Sequence, residues 1–363
     1  MIGRASLVTA LLVIAGACAT GARGGGAGID PRRYDLGQDP VGTSAWQRAS
    51  GSLRTGDDVG AIPELLQLVR ACPDFVRGHL AYQDAATRLG GAVRQAMVDH
   101  YTALPLREGP VAAYCRARLL DTDYAQDNAL AAILVEHPSF AWAHLSRARV
   151  SRQRGRLLPS LDMYSAALVH DAKLFEARLE RAQVLVELGR DMEAVREYRD
   201  YLDQRADDVT AIRDFVTLLL YRVGRTDEAT PWLAQLEARL PGDVTVRMDR
   251  AAVSWRERQH RAAVDAYVAI LRDDPGQVRA ALNIGLLLYE VVPTDAEADR
   301  RRYWPAARAA FRWFLDRGRP ADGHEQFERT LGVPFRLQRI AELLGPETPQ
   351  PPRLDDLAWP ASG

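Results

Sequence analysis

The sequence predicts an all-α solenoid of about eight antiparallel helix pairs, and three observations predict it. Turn-forming residues recur about every 34 residues through most of the 363-residue chain. A small residue and then an aromatic residue or leucine follow each turn at helical spacing. Each such helix pair leaves one apolar flank open, so that neighbouring pairs have to stack to bury it.

The N-terminal residues 1–17 are predicted to be a signal peptide. Arg4 precedes an apolar run of eleven residues, and the run ends in Ala15-Gly16-Ala17-Cys18. Such a run is too short to span a bilayer and has the length of a signal-peptide core. This segment resembles a bacterial lipoprotein signal, although Ala15 stands where that family usually has leucine. The same small residues also fit ordinary secretion, which leaves a secreted or soluble periplasmic product as the alternative.

The lipoprotein resemblance implies that Cys18 carries a lipid and becomes the new N-terminus. Residues 18–41 are glycine-rich and without periodicity, so we expect a flexible tether. Ala19, rather than aspartate, follows the cysteine, which by analogy with enteric bacteria favours an outer-membrane protein facing the periplasm.

The repeat begins after this tether. The recurring turn positions are separated by 34, 31, 34, 34, 35 and 34 residues; they are Gly56, Gly90, Asp121, Gly155, Gly189, Gly224 and Arg258. In the clearest copy, Ala182 lies in the first helix, and the second helix carries Ala194, Tyr198 and Tyr201 on its inner face. Small residues let facing helices approach, and glycine reverses the chain without a Cβ penalty.

With this spacing, residues 42–317 resemble a tetratricopeptide-repeat (TPR) protein. The resemblance implies a right-handed superhelix. The family's early tryptophan is absent, and Asp121 and Arg258 replace the turn glycine. Some other helical hairpin array of similar period is the alternative.

Three further segments depart from the simple repeat. Pro63 and Pro231 lie near the fifth residue of their second helices, which predicts a late start or a kink. Residues 295–302 form an inserted acidic-then-basic loop that is either solvated or a contact site. After residue 317, we expect C-terminal capping helices over 318–345 and a disordered proline-rich tail over 346–363.

The composition and motifs favour a non-enzymatic protein without a cofactor or metal. The chain has 47 Lys+Arg against 48 Asp+Glu, a balance that argues against nucleic-acid binding. His324 and Glu325 begin like a zinc-protease helix, but Glu328 stands where the second histidine is required. Cys72 and Cys115 are predicted to be small buried residues, and a disulfide between them is left open.

A stacked array offers a groove lined by its first helices. Aligned copies place Tyr221, Trp255 and Tyr289 at one position of three successive units. Aromatic and arginine side chains are typical of binding hot spots. We therefore predict a partner-binding groove; its candidate residues are Tyr221, Arg222, Trp255, Arg256, Tyr289, Trp142, Arg149 and Arg152. The competing interpretation places these rings in the core between helices.

The sequence therefore predicts a protein–protein interaction scaffold of a bacterial cell envelope. Its partners would be envelope or secretion proteins, and a lipid on Cys18 would hold it to the membrane. The alternative function is a peptidoglycan- or carbohydrate-binding module, because aromatic and arginine side chains also stack on sugars.

Overall fold

The computed structural model describes residues 34–36, 39–104, 109–291, 296–318, 332–346 and 351–360. The predicted signal peptide, Cys18 and most of the tether lie outside these residues, as do His324, Glu325 and Glu328. The described residues form helices joined by short turns, with no strand among them. No helix in this part of the chain is both long and apolar enough to cross a membrane.

The described residues fall into two compact units. The first comprises the described residues up to Leu120 together with residues 132–140, and the second comprises residues 121–131 and those from Ala141 onward. The helices up to the point where the units divide are α1 Pro40–Arg54, α2 Asp58–Ala71, α3 Val76–Leu89, α4 Gly91–Ala103, α5 Val111–Ala117 and α6 Asp123–Glu136, the last of which contributes to both units.

The second unit continues with alternating first and second helices. They are α7 Ala141–Gln153, α8 Leu157–His170, α9 Phe175–Glu187, α10 Asp191–Leu202, α11 Val209–Thr217, α12 Thr226–Arg239, α13 Val244–Arg256, α14 His260–Asp273, α15 Val278–Leu286 and α16 Glu297–Arg317. Each packs against the next in chain order. The predicted fold class, an all-α array of antiparallel helix pairs, is confirmed.

The backbone conformation of the turn residues explains why they recur about every 34 residues. Gly56, Gly155 and Gly189 each adopt a positive φ, between 70° and 76°. At Gly189 the next amide, Arg190 N, donates to Leu185 O at 2.8 Å, which closes the helix end. Arg258 takes the same left-handed conformation, with φ 62°, and it is the one non-glycine residue to do so in the described part of the chain.

The repeats pack through the positions that the pattern predicted. Ala182 and Ala194 are fully buried where α9 and α10 meet. Tyr198, one turn further along α10, is 2% exposed and stacks on Phe215 of α11 with ring centroids 5.8 Å apart. Small residues therefore bring a pair together, and the aromatic residue fills the space up to the next pair.

The one spacing of 35 residues has a structural cause. After Thr217, helix α11 continues as a π-helical segment over Leu218–Val223, and Arg225 N donates to Leu219 O at 2.9 Å. A π segment accommodates one extra residue within a helix. A second π segment, Leu287–Val291, extends α15.

Two expectations about helix starts are wrong. Helices α2 and α12 begin at Asp58 and Thr226 and include Pro63 and Pro231, so neither helix starts late. A proline in the second turn removes only one backbone hydrogen bond, which the rest of the helix tolerates. The predicted loop over 295–302 is helical from Glu297, where Arg301 pairs with Glu297 at 2.7 Å. Helix α16 therefore starts well before the inserted segment was expected to end.

The C-terminal residues are more ordered than the proline content predicted. Helix α17, Val333–Leu344, packs against α16 and buries Val333 and Ile340. Within the predicted disordered tail, Leu354–Leu357 form a 3₁₀ turn against α14 and α16. Leu357 is fully buried, and Trp359 meets Tyr303 edge-to-face at 5.2 Å. Burial of Leu357 and partial burial of Trp359 hold residues 351–360 in place.

The first unit buries a neutral histidine. Burial lowers the pKa of His79 to about 4. Its Nε2 lies 2.9 Å from Pro73 O and its Nδ1 2.9 Å from the Tyr101 hydroxyl, so that Nε2–H donates and Nδ1 accepts.

The two described cysteines are free. Cys115 is fully buried, whereas the Cys72 thiol is half-buried and donates to Asp39 at 3.0 Å. Burial and this neighbouring carboxylate raise the pKa of Cys72 to about 11, which keeps it a thiol.

Candidate functional site

The candidate site is the part of the second unit where α11, α13, α14 and α15 meet. It is a surface cavity of about 730 Å³, and we call it the α13 pocket. Its lining residues are Tyr221, Ala252, Trp255, Arg256, Arg258, His260, Tyr267 and Asn283. Three of the predicted groove residues, Tyr221, Trp255 and Arg256, are among them.

Tyr221 is placed by the π segment at the end of α11. Its side chain is 51% exposed, yet its hydroxyl donates to Oδ1 of Asp249 on α13 at 2.7 Å. Burial and the Asp249 carboxylate raise the pKa of Tyr221, so the group is a neutral phenol. The ring is therefore fixed at the pocket by its hydroxyl while much of its surface remains open.

Asp249 lies behind Tyr221 and is 3% exposed. Burial raises its pKa, while the Tyr221 hydrogen bond and the charge of Arg213 act in the opposite direction. Its second oxygen, Oδ2, has no hydrogen-bond partner among the described residues. Asp249 is not a lining residue, so its role on this face is to orient Tyr221.

Trp255 and Arg256 end helix α13. Trp255 is half-buried and packs on the apolar core of the second unit, which leaves part of the indole on the pocket wall. The side chain of Arg256 forms no ion pair or hydrogen bond with a described residue. Its charge opposes the rise that burial causes in the pKa values of Tyr221 and Tyr267. These two residues combine an aromatic wall with an available guanidinium.

Tyr267 of α14 forms the floor. The residue is fully buried, and burial raises its pKa. The Asn283 amide lies close enough to favour the ionised form, but by hydrogen-bond geometry the hydroxyl has no partner among the described residues. The Asn283 amide can favour the phenolate without an aligned hydrogen bond, because a nearby dipole is sufficient.

The other predicted groove residues are placed elsewhere. Tyr289 stacks on Trp304 of α16, with centroids 4.9 Å apart and planes at 18°, and the Arg336 guanidinium lies 5.7 Å from the centroid of its ring. Trp142 is 2% exposed and is a core residue of α7. Trp142 is therefore a core residue, whereas Tyr289 is half-buried against α16, and neither lines the α13 pocket.

Three predicted arginines hold helices together. Arg149 forms a two-point ion pair with Glu180 of α9, at 2.8 and 2.5 Å. Arg152 binds Glu187 at 3.0 Å through Nε, and Arg222 pairs with Asp191 at 2.9 Å. Their guanidinium groups are occupied by carboxylates of neighbouring helices, so they do not extend the α13 pocket.

Five lining residues were not predicted from the sequence: Ala252 and four with polar groups. Tyr267 lies on the buried face of α14 and borders the pocket from within the helix interface. Arg258 was noted only as a replacement for the turn glycine; a charged residue at a position that glycine otherwise occupies was the available signal. His260 and Asn283 carried no such signal.

The described residues contain no group of three or more histidine, cysteine, aspartate or glutamate side chains that could hold a metal ion. The α13 pocket is instead lined by three aromatic residues, two arginines, one histidine and one asparagine, beside Ala252. Such a set binds by stacking and hydrogen bonding.

Solved structures that are similar to this chain include TPR proteins. MamA from Desulfovibrio magneticus RS-1, from residue 41 onward, is 18% identical, with a TM-score of 0.43 over 50% of this chain and 97% of that one. YrrB, described as a TPR protein with an unusual peptide-binding site, is 18% identical, with a TM-score of 0.42 over 56% of this chain and 99% of its own.

A TPR protein from Parabacteroides merdae ATCC 43184 is 14% identical, with a TM-score of 0.36 over 83% of this chain and 99% of that one. No family model matches the chain, and no curated protein matches it. At these identities the likeness concerns the helical-repeat fold alone.

Proposed function

We propose that this chain is a non-enzymatic docking protein that binds a segment of another protein at the α13 pocket. The observation that carries the proposal is the open aromatic wall: Tyr221 is half-exposed although its hydroxyl is fixed, and Trp255 stands beside it. Large rings with few rotamers supply contact area at a low entropic cost, as in known hot spots.

A pull-down of the native protein after crosslinking, with mass spectrometry, identifies the partner. Tyr221→Ala should abolish its recovery while the melting temperature falls by only a few degrees. Tyr124→Ala is the matched control, because Tyr124 is 71% exposed on α6 and lies outside the pocket. Equal recovery with wild type and Tyr221→Ala would contradict docking at this pocket.

We further propose that the protein works at a bacterial cell envelope, held to the outer membrane by a lipid on Cys18 and facing the periplasm. The support is the sequence of residues 1–19. Intact-mass analysis should find acyl mass on Cys18, and Cys18→Ser should move the protein from the membrane fraction to the soluble one. A wild-type product cleaved elsewhere and soluble would favour plain secretion.

The second candidate function is binding of peptidoglycan or another carbohydrate, which the aromatic rings beside arginines in the same pocket would also suit. Co-sedimentation with purified peptidoglycan separates the two. Binding there that Tyr221→Ala abolishes, with no protein recovered by crosslinking, would favour the carbohydrate.

A further inference from the structure

Residues 351–360, which we call the tail segment, pack through their 3₁₀ turn on α14 and α16, the second helices of two successive pairs. Leu357 is fully buried there, and Leu354 and Trp359 pack on the core of the second unit. Trp359 also meets Tyr303 of α16 edge-to-face at 5.2 Å. The second helices of the array therefore already bind a short segment, through two leucines and a tryptophan.

The turn of the tail segment is made by its own residues. The Arg353 amide donates to Oδ2 of Asp356 at 2.7 Å, and the Asp356 amide donates to the Arg353 carbonyl oxygen at 3.1 Å. Pro351, Pro352 and Pro360 flank the turn and restrict the backbone further. A segment with a preformed turn loses less conformational entropy on binding, as a short recognition motif does.

Helix α16 is held in place by elements other than the tail segment. Phe311 is fully buried, and its ring lies beside Gly285 of α15. Helix α17 packs on α16 separately and buries Val333 and Ile340. Release of the tail segment should therefore uncover a surface rather than unfold the last pair.

The tail segment does not fill the surface on which it lies. A cavity of about 650 Å³ opens between the segment and α16, and Pro305, Ala306 and Ala309 line it from the helix. Because protein interiors are close-packed, a contact that leaves such a space depends on a few anchoring side chains. We call the surface of α14 and α16 beneath the segment, with Tyr303 and these three residues, the α14/α16 face.

The charges of the helix and the segment also match. Helix α16 carries six arginines against three acidic residues. Arg302 and Arg308 line the cavity from the helix, and Asp355 and Asp356 line it from the segment. Complementary charges of this kind favour encounter and fix the register of a bound segment.

We propose that the α14/α16 face is a docking site between copies of this chain. The tail segment closes the face in its own chain, and the tail segment of a second copy binds the face when the first is released. Every copy carries both halves of the contact, and exchange of identical elements is a low-cost route to dimers. The face shares no lining residue with the α13 pocket, so this proposal does not depend on docking there.

A labelled synthetic peptide of residues 351–360 tests the face by fluorescence anisotropy. Leu357→Asp in the full chain releases the tail segment, and this variant should bind the peptide about tenfold more tightly than wild type. In wild type the attached segment competes at an effective concentration on the order of 1 mM. Leu158→Asp is the matched control, because Leu158 is 61% exposed on α8, and it should bind as weakly as wild type.

Two further variants separate the contact from the fold. Trp359→Ala in the full chain loosens the segment without introducing a charge, and it replaces Leu357→Asp if that variant melts more than a few degrees early. Tyr303→Ala in the released chain should weaken the peptide several-fold but leave a peptide that carries Trp359→Ala unchanged, because these two rings contact each other.

Mixing two full-length variants tests the second copy. Leu357→Asp offers an open face, and Tyr303→Ala offers an intact tail segment beside a weakened face. Above the Kd of the peptide, sedimentation velocity should find a heterodimer that neither variant forms alone, and excess peptide should dissociate it.

Two results would overturn the proposal. Equal binding of the peptide by wild type and a released chain, or no binding by a folded released chain, would reject the docking site. A mixture without heterodimer, although the peptide binds, would reject the second copy as the occupant. Tyr221→Ala should leave all of these measurements unchanged, which separates them from docking at the α13 pocket.

Discussion

Two stretches of first helices in the second unit use the same residue types in opposite ways. Between α7 and α9, Arg149 and Arg152 are closed off by Glu180 and Glu187. Between α11 and α15, Arg256 and Arg258 have no such partner and border the α13 pocket. An arginine on or just after a first helix is thus closed off by an ion pair or left open according to the residue that the next repeat presents to it.

The two stretches also differ in the partner of a tyrosine hydroxyl near the arginines. Glu180 accepts hydrogen bonds from Arg149 and from Tyr164, whose hydroxyl lies 2.9 Å away. Tyr267, at the matching place in α14, has no such carboxylate. The first stretch is satisfied internally, whereas in the second this hydroxyl has no partner among the described residues.

The largest effect is expected between α7 and α9, where the arginines are paired. Glu180→Ala removes the acceptor that Arg149 and Tyr164 share at a part-buried place, so we expect a loss of about 2–3 kcal/mol in the free energy of unfolding. Urea unfolding measures it. Glu193→Ala is the control, since its pair with Arg190 is exposed and worth about 0–0.5 kcal/mol. Equal losses in the two variants would mean that Glu180 contributes no more to the free energy of unfolding than an exposed ion pair does.

A smaller effect of opposite sign is expected at the turn beside the pocket. Arg258→Gly should raise the free energy of unfolding by about 0.5–1 kcal/mol, because glycine adopts a φ of 62° freely. Gly189→Ala, at φ 75°, should lower it by about 1 kcal/mol and calibrates the scale. Destabilisation by Arg258→Gly would show that the side chain supports the fold.

The acid behind the pocket should make stability depend on pH. Because burial raises the pKa of Asp249 in the folded state, ionising it disfavours folding, and this cost grows as the pH rises through and above the ordinary aspartate value. Asp249→Asn keeps an acceptor for Tyr221 and should be more stable than wild type at pH 7. Of its charged neighbours, Arg213 lowers the pKa of Asp249 and Asp243 raises it.

Thermal unfolding of both proteins between pH 4 and pH 8 measures this difference. The advantage of Asp249→Asn should shrink as the pH falls toward 4. An advantage that is constant across this range would assign it to packing rather than to the charge.

The smallest effect is expected for a predicted groove residue that is already paired. Arg222 and Asp191 are partly exposed, at 40% and 24%, so Arg222→Gln should cost about 0–0.5 kcal/mol. It should also change binding at the α13 pocket less than twofold, against about tenfold for Arg256→Gln. Comparable binding losses would extend the site toward α10.

The fold could be predicted because the sequence pattern of one helix pair recurs several times along the chain. Turn glycines and the small and aromatic positions each recur, so that one degenerate copy does not hide the period. Helix α16 was misplaced, because Glu297–Arg302 is polar all round and helical propensity there outweighed the expected loop. The tail was missed because two residues, Leu357 and Trp359, decide its packing in a proline-rich context.

The site could be predicted only in part, because one sequence shows which residues recur but not what faces them. Tyr221 and Trp255 were found from their spacing. Trp142 and Tyr289 had the same appearance and are covered by other helices. For the arginines a signal did exist: Glu180 and Glu187 lie 31 and 35 residues after Arg149 and Arg152, at repeat distance.

Site-specific photo-crosslinking in the native host tests the central claim most directly. A photoreactive residue replaces Arg256 in one full-length protein and Arg152 in another. We predict that position 256 crosslinks a second protein and that position 152 crosslinks only within the chain. Crosslinks to the same protein from both positions, or from neither, would contradict a docking site confined to the open arginines.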